Sequence, residues 1–232
     1  MLNSLANENG LIFRGGFSVT LDDSVPLQVN GESSETLLLF GQAGNALWPV
    51  FSKSSELADG QPHPLDRWSE RVGQLIAEEI NGRLLLPFGK APHHPFLRWA
   101  SRIEDVQPSR LGMLIHPDYG LWHAYRFAIA LATPVEGLSK VETGGNICNQ
   151  CYLQPCLKKC PVDAFDGTHY DVSACFQYLQ ENLKSVCHTS GCQARDACPE
   201  GEQSHYAFEQ KQFHMKQFTL ALYKRLSKDA SA

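Results

Sequence analysis

Every cysteine of the chain lies between positions 148 and 198. Cys148 and Cys151 are three apart, Cys156 and Cys160 four apart, and Pro161 follows the fourth. Cys175, Cys187, Cys192 and Cys198 complete the set, and Cys198 is again followed by proline, Pro199. Thiols at this density are metal-ligand chemistry. Four thiolates can close a tetrahedral zinc site, or hold the corners of a cubane iron–sulfur cluster. Eight provide two complete sets with none left over. A tight loop can aim Cys148 and Cys151 at one centre, and Gly144, Gly145 and Asn146 give that loop its turn freedom. The spacing of Cys156 and Cys160 predicts one helical turn carrying both, which Pro161 ends because it has no amide to donate.

The run resembles the bacterial ferredoxin pattern C-x2-C-x2-C-x3-C-P, in which the Cys-Pro cysteine crosses to the other cluster. That resemblance implies two [4Fe–4S] clusters. One takes Cys148, Cys151, Cys156 and Cys198; the other takes Cys160, Cys175, Cys187 and Cys192. Two gaps depart from the pattern. Four residues separate Cys151 from Cys156, and the second half is stretched to Cys187-x4-Cys192-x5-Cys198. A zinc-stabilised structural protein is the alternative, and a disulfide framework the third reading. The polar segment from Met1 to Gly10 and the lack of an apolar stretch of spanning length predict no leader and no membrane, hence a cytoplasmic chain with reduced thiols.

The cysteines need elements to carry them, and 232 residues suffice for one medium domain plus a small module. The formal charge of −5 sits entirely in residues 1–139, with ten Lys/Arg against fifteen Asp/Glu. No basic stripe is present, so nucleic acid is disfavoured as a ligand. Leu11 to Val19 and Glu35 to Phe40 read as strands, and the Gly41-x-x-Gly44 turn leads on to Ala46-Leu47-Trp48. Such a turn can seat a phosphate, although simple helix–strand packing accounts for it better. Leu65, Trp68, Val72, Leu75, Ile76 and Ile80 recur at helical spacing. Arg83 to Phe88 predicts a strand and Pro95 to Arg102 a helix. Leu111 to His116 and Tyr125 to Leu131 predict neighbouring strands joined by a tight loop. The pattern is α+β (α/β-type), with about five strands in a mixed sheet. Residues 205–228 predict a C-terminal helix whose stripe of Met215, Phe218, Leu222 and Leu226 docks on the body.

The segment from His116 to Arg126 resembles the H-P-x-[FY]-G-x-W-x-A-x-R signature of cobalamin-processing, CblC-type proteins. Joined to the cysteine run, it makes the chain similar to epoxyqueuosine reductases and reductive dehalogenases. The resemblance implies a CblC/nitroreductase-like domain over 1–140, a dicluster ferredoxin-like module over 141–204, and a docking helix over 205–232. It also implies that Cys175, in Cys-Phe-Gln-Tyr-Leu, belongs with Cys160. His116, Tyr119 and Trp122 would line a cavity for a flat ring, cobalamin or a flavin, since aromatic faces stack on such rings. The function implied is iron–sulfur electron transfer, from a redox partner protein as donor to a small-molecule acceptor. A non-enzymatic electron carrier or cofactor chaperone is the rival. No catalytic acid is identified: Asp66 and Asp118 lie near turns and suit caps or turn positions. Lys158 and Lys159 suit either an acidic donor or a solvated helix face.

Overall fold

The computed structural model describes residues 1–138 and 144–229, with side chains described to residue 224. The expected domain boundary at 140/141 and the side chain of Leu226 lie outside the described residues. The chain divides into two units. The first comprises Met1–Val106 and His123–Gly144, the second Gln107–Trp122 and Gly145–Ala232. Residues 107–122, read from sequence as part of the N-terminal domain, thus group with the cysteines.

The first unit is built on a four-stranded sheet. Strand β1 (Ile12–Ser18) pairs with β2 (Thr36–Ala43), which leads through helix α1 (Pro64–Glu79) to the short β3 (Arg83–Leu85). Helix α2 (Phe96–Ile103) follows, and β4 (His123–Leu131) closes the sheet by inserting between β2 and β3. Every pairing is antiparallel, where a mixed sheet was expected. The reason is topological. Strands β2 and β3 point the same way across the α1 crossover, but β4 separates them and runs against both, so no parallel ladder forms.

Both faces of β2 are covered, which explains its continuous apolar run. Leu37 and Leu39 pack with Phe96, Trp99 and Ile103 of α2. On the other face Phe40 stacks on Phe127 at 5.2 Å, and α1 lies against the sheet. In α1 the buried residues are Leu65, Trp68, Ser69, Val72, Gly73, Ile76 and Ala77. Leu75, expected in the apolar stripe, is exposed. Small side chains at 69, 73 and 77 rotate the buried face away from it, and Gly73 lets the helix close onto Leu84 and Phe127. The strand of β2 also runs on through Gly41 to Ala43, so the glycine turn seats no phosphate. A Cβ at Gly41 would stand 2.3 Å from the Ala124 carbonyl oxygen, and glycine is needed there for the close approach of β4.

In the second unit Leu114–Ile115 pairs with Gln107–Pro108, not with β4 as the sequence suggested. The loop after it closes on itself through His116 N to Gly120 O (2.9 Å) and Gly120 N to His116 O (2.8 Å). Short helical turns carry the cysteines, followed by helix α3 (Val172–Glu181) and the long α4 (Phe208–Asp229). Met215 of α4 is buried with Leu179 and Cys187, and Phe218 packs against them. No described helix is long and apolar enough to cross a membrane.

Candidate metal centre

The second unit positions each cysteine by a separate local device. Asn146 caps the turn Ile147–Gln150, its Oδ1 accepting the Cys148 amide at 2.9 Å. Pro155 opens the turn Pro155–Lys158, which holds Cys156. That turn ends before Cys160, so the two cysteines do not share it as their spacing suggested. Instead the chain reverses at Asp163, whose φ is +48°, and the Ala164 amide donates back to Cys160 Sγ at 3.3 Å. Asp171 caps α3 by accepting the Ala174 amide at 2.9 Å, and Cys175 follows in its first turn. Cys187 sits in the turn Val186–Ser190, which Gly191 ends at φ +98°. Cys192 caps the next turn, Gln193–Asp196.

All eight cysteines are free. Leu111, Ile115, Leu121 and Ala194 pack around Cys148, Cys156, Cys160, Cys192 and Cys198. Burial raises the thiols of Cys156, Cys175 and Cys187, and pushes those of Cys192 and Cys198 up to about 11. Neighbouring sulfurs add to the rise in a selective way. Cys156 feels Cys148 and Cys151, and Cys198 feels Cys156 and Cys148. Cys175 feels Cys160 and Cys187, Cys187 feels Cys160, and Cys192 feels Cys187 and Cys175. These interactions fall within Cys148, Cys151, Cys156 and Cys198 and within Cys160, Cys175, Cys187 and Cys192, while Cys160 and Cys192 also share a small core with Cys148, Cys156 and Cys198.

Backbone amides work in the opposite direction. Those of Leu157, Gln193, Glu200 and of both Ala194 and Arg195 reach the sulfurs of Cys156, Cys187, Cys198 and Cys192 respectively. The Tyr170 hydroxyl bonds Cys175. These donors offset part of the rise, but burial outweighs them, and the net shift of Cys156, Cys175, Cys187, Cys192 and Cys198 is upward, toward the thiol. Among the described residues no three His, Cys, Asp or Glu side chains converge tightly enough for a single metal ion. A cubane asks for something else, with thiolates at the corners of a much larger object.

The aromatic residues of the predicted ring site are engaged within the unit. His116 Nδ1 accepts the amides of Asp118 (3.0 Å) and Tyr119 (3.4 Å), and its ring stacks on Tyr119 at 4.5 Å. Trp122 is buried against His205 at 4.3 Å, with the Arg195 guanidinium 4.4 Å from its ring centre. Asp118 is exposed in the turn. Asp66, at the start of α1, is different: burial raises its carboxyl above the ordinary value, against the pull of Arg126 and His63. Lys158 and Lys159 are exposed, as are Tyr152 and Leu153 a few residues earlier in the chain.

One constellation had no signal in the sequence. Arg14, in β1, is buried and forms a two-pronged pair with Glu104 at the end of α2, through Nε to Oε1 (2.6 Å) and Nη2 to Oε2 (2.5 Å). The Tyr125 hydroxyl donates to the same Oε2 at 2.5 Å, and His123 Nδ1 lies 3.4 Å from Arg14 Nη2. A β-bulge between Phe13 and Gly15 admits the arginine. Residues ninety positions apart give no pattern to read.

No family model and no curated protein matches the chain. Solved structures do. A B12-trafficking protein CblC from C. elegans aligns over 91% of this chain and 87% of its own, at 13% identity and a TM-score of 0.53. An epoxyqueuosine reductase from Bacillus subtilis aligns over 88% and 57%, at 12% identity and a TM-score of 0.47. An epoxyqueuosine reductase solved with a tRNA stem loop aligns over 75% and 51%, at 13% identity and a TM-score of 0.42. The chain therefore spans about half the length of the reductases it matches. The CblC alignment establishes a CblC-like α+β fold. The expectation against nucleic acid gains nothing from these neighbours and rests on charge alone.

Proposed function

We propose that the chain is an iron–sulfur electron-transfer protein. Cys148, Cys151, Cys156 and Cys198 would hold one [4Fe–4S] cluster, and Cys160, Cys175, Cys187 and Cys192 the other. What supports this reading is that all eight thiols are free and lie within the second unit, with the Ala164 amide donating to Cys160 Sγ. The donor set fits: soft thiolates, no disulfide, and hydrogen bonds to sulfur of the kind that tune a cluster's potential. Bound clusters would supply one-electron transfer. The polypeptide's own part is to hold the thiolates apart in two sets, exclude water with Leu111, Ile115 and Leu121, and stabilise sulfur charge through amides.

The acceptor class in this reading is a corrinoid or flavin at the N-terminal unit, supported by the CblC-like fold. Tyr152 and Leu153 beside Lys158 and Lys159 give an acidic donor protein an apolar contact with a cationic rim, close in sequence to Cys151 and Cys156. Unpaired thiols suit a reducing, cytoplasmic setting.

Anaerobic purification with iron, sulfide and zinc analysis tests the proposal. About eight irons and eight sulfides per chain, with an EPR signal on reduction, are expected. Tightly bound zinc without sulfide would replace it with a structural zinc protein. Titration of the iron-loaded chain with cobalamin and flavins then separates a reductase from a carrier. A reductase shows spectral change at stoichiometric ligand; a carrier shows none.

A further inference from the structure

A cavity of about 370 Å³ opens in the second unit beside the cysteines. Cys148 is the one cysteine in its wall, and Cys151, Cys156 and Cys198 are absent from it. The wall is formed by three segments, 108–112, 146–149 and 167–170. From the first comes Arg110, whose Nε is buried and has no hydrogen-bond partner. From the third come His169 and Tyr170.

The chemistry of this wall is one-sided. Arg110 and His169 line it, together with the side chains of Ser109, Asn149 and Thr168, while no Asp or Glu does. Two carboxylates flank the third segment: Asp171 caps α3, and Asp166 is turned into its own loop. Its Oδ1 accepts the amides of Thr168 (2.8 Å) and His169 (2.6 Å) and the Thr168 hydroxyl (2.9 Å). Gly167, at φ +96°, lies across from Arg110, whose Nη1 would meet a Cβ there at an ordinary contact of 3.5 Å. A guanidinium in a wall that holds no carboxylate among the described residues suits an anion. The volume exceeds what a lone oxyanion fills and lies at the lower end of small-molecule sites. Tyr170, Pro108 and Leu111 add flat or apolar walls for a ring.

We propose that this cavity binds a phosphorylated small molecule of mononucleotide size, with its phosphate on Arg110. The site is independent of the cluster reading, because none of its polar contacts needs a metal. Its position gives it a consequence all the same. A ligand there would touch Cys148 of one group, and Tyr170, whose hydroxyl bonds Cys175 of the other.

The test uses the purified full chain, whatever metal it carries. AMP and riboflavin 5′-phosphate are titrated by calorimetry beside adenosine and riboflavin. Binding of a phosphorylated probe, with its unphosphorylated counterpart at least tenfold weaker, is expected. Arg110→Gln should weaken that binding about tenfold or more, and Arg110→Lys should restore part of it. In the unmodified chain the bound probe should protect Arg110 from phenylglyoxal, read by peptide mass spectrometry, so the result does not depend on a variant folding. Failure of both phosphorylated probes to bind, equal binding of their unphosphorylated counterparts, or modification of Arg110 unaffected by probe would each overturn the proposal. Iron content is measured on the same sample. A chain that binds AMP but holds no iron sinks the cluster reading and leaves this one standing.

Discussion

The sulfur–sulfur pairings make the cluster proposal testable one residue at a time. If Cys198 shares a centre with Cys148 rather than with its sequence neighbour Cys192, then Cys198→Ala and Cys148→Ala should lose the same cluster. Each is expected to retain about four irons and to show the same residual EPR spectrum, while Cys160→Ala and Cys192→Ala retain the other. Residual spectra that pair Cys198→Ala with Cys192→Ala would overturn the crossed assignment. Another single residue matters for a different reason. Arg14 is wholly enclosed and Glu104 is its charge partner, so Glu104→Gln leaves a buried guanidinium uncompensated. Loss of about 3 kcal/mol or more is expected in urea unfolding. Replacing both, as Arg14→Met with Glu104→Leu, should cost less than the single change, because no charge is then stranded.

At the level of elements, two expectations follow from how segments are joined. Gly41 lies where β4 crosses close to β2, and Gly41→Ala would drive a Cβ into the Ala124 carbonyl. That backbone cannot yield as a side chain would, so a loss of about 1–3 kcal/mol is expected in thermal or urea unfolding. The turn Ser55–Ala58 is tied to α1 by Glu56 and Arg71, with Nε to Oε1 at 2.5 Å. Arg71 holds the Glu56 carboxyl below its usual 4.5, against the upward push of burial. Burial also pushes Asp23 upward, but Arg102 and Thr20 outweigh it and hold the group below its usual 3.8. Both folded values are depressed, so the stabilisation is complete above the ordinary values and fades as pH falls through the folded ones. Melting temperature should therefore drop below about pH 4.5, and Glu56→Gln with Asp23→Asn should flatten the drop; an unchanged acid limb would remove both pairs from the account. These joints also show what a sequence can reveal. The strands at 12–18 and 36–40 and the helices at 64–79 and 96–103 were legible because their apolar periods are local. Pairing was not. Leu114–Ile115 and β4 are apolar neighbours along the chain, yet a self-closing loop from His116 to Gly120 sends them to different sheets. For the cysteines, residue type and the Cys-Pro endings carried the expectation of metal chemistry. The turn that brings the Ala164 amide back to Cys160 depends on a left-handed Asp163, which no spacing rule encodes.

Across the whole chain, the two units are held together by different materials. The first has a core of Leu37, Leu39, Phe96, Trp99 and their neighbours, enough apolar side chains to close without help. In the second, cysteines occupy positions that aliphatic residues fill elsewhere, and a second small core rests on Leu179, Cys187 and Met215. A core whose centre is thiol gains little from burial alone. Its sulfurs, held neutral by burial and by one another, are also poor partners for the amides aimed at them. Filling the proposed centres would reverse that balance, because ligation would fix the thiolate form and tie 148 to 198 and 160 to 192 at once. Ligand binding and folding of the second unit should then be linked, as for small metal-dependent domains. Stripping iron with a chelator after oxidation is expected to open residues 145–204 to limited proteolysis while 1–106 resists it. Reconstitution with iron and sulfide should restore protection. Equal resistance in the stripped and loaded chains would mean that the second unit folds on its apolar contacts alone, and that the clusters are passengers rather than part of its core.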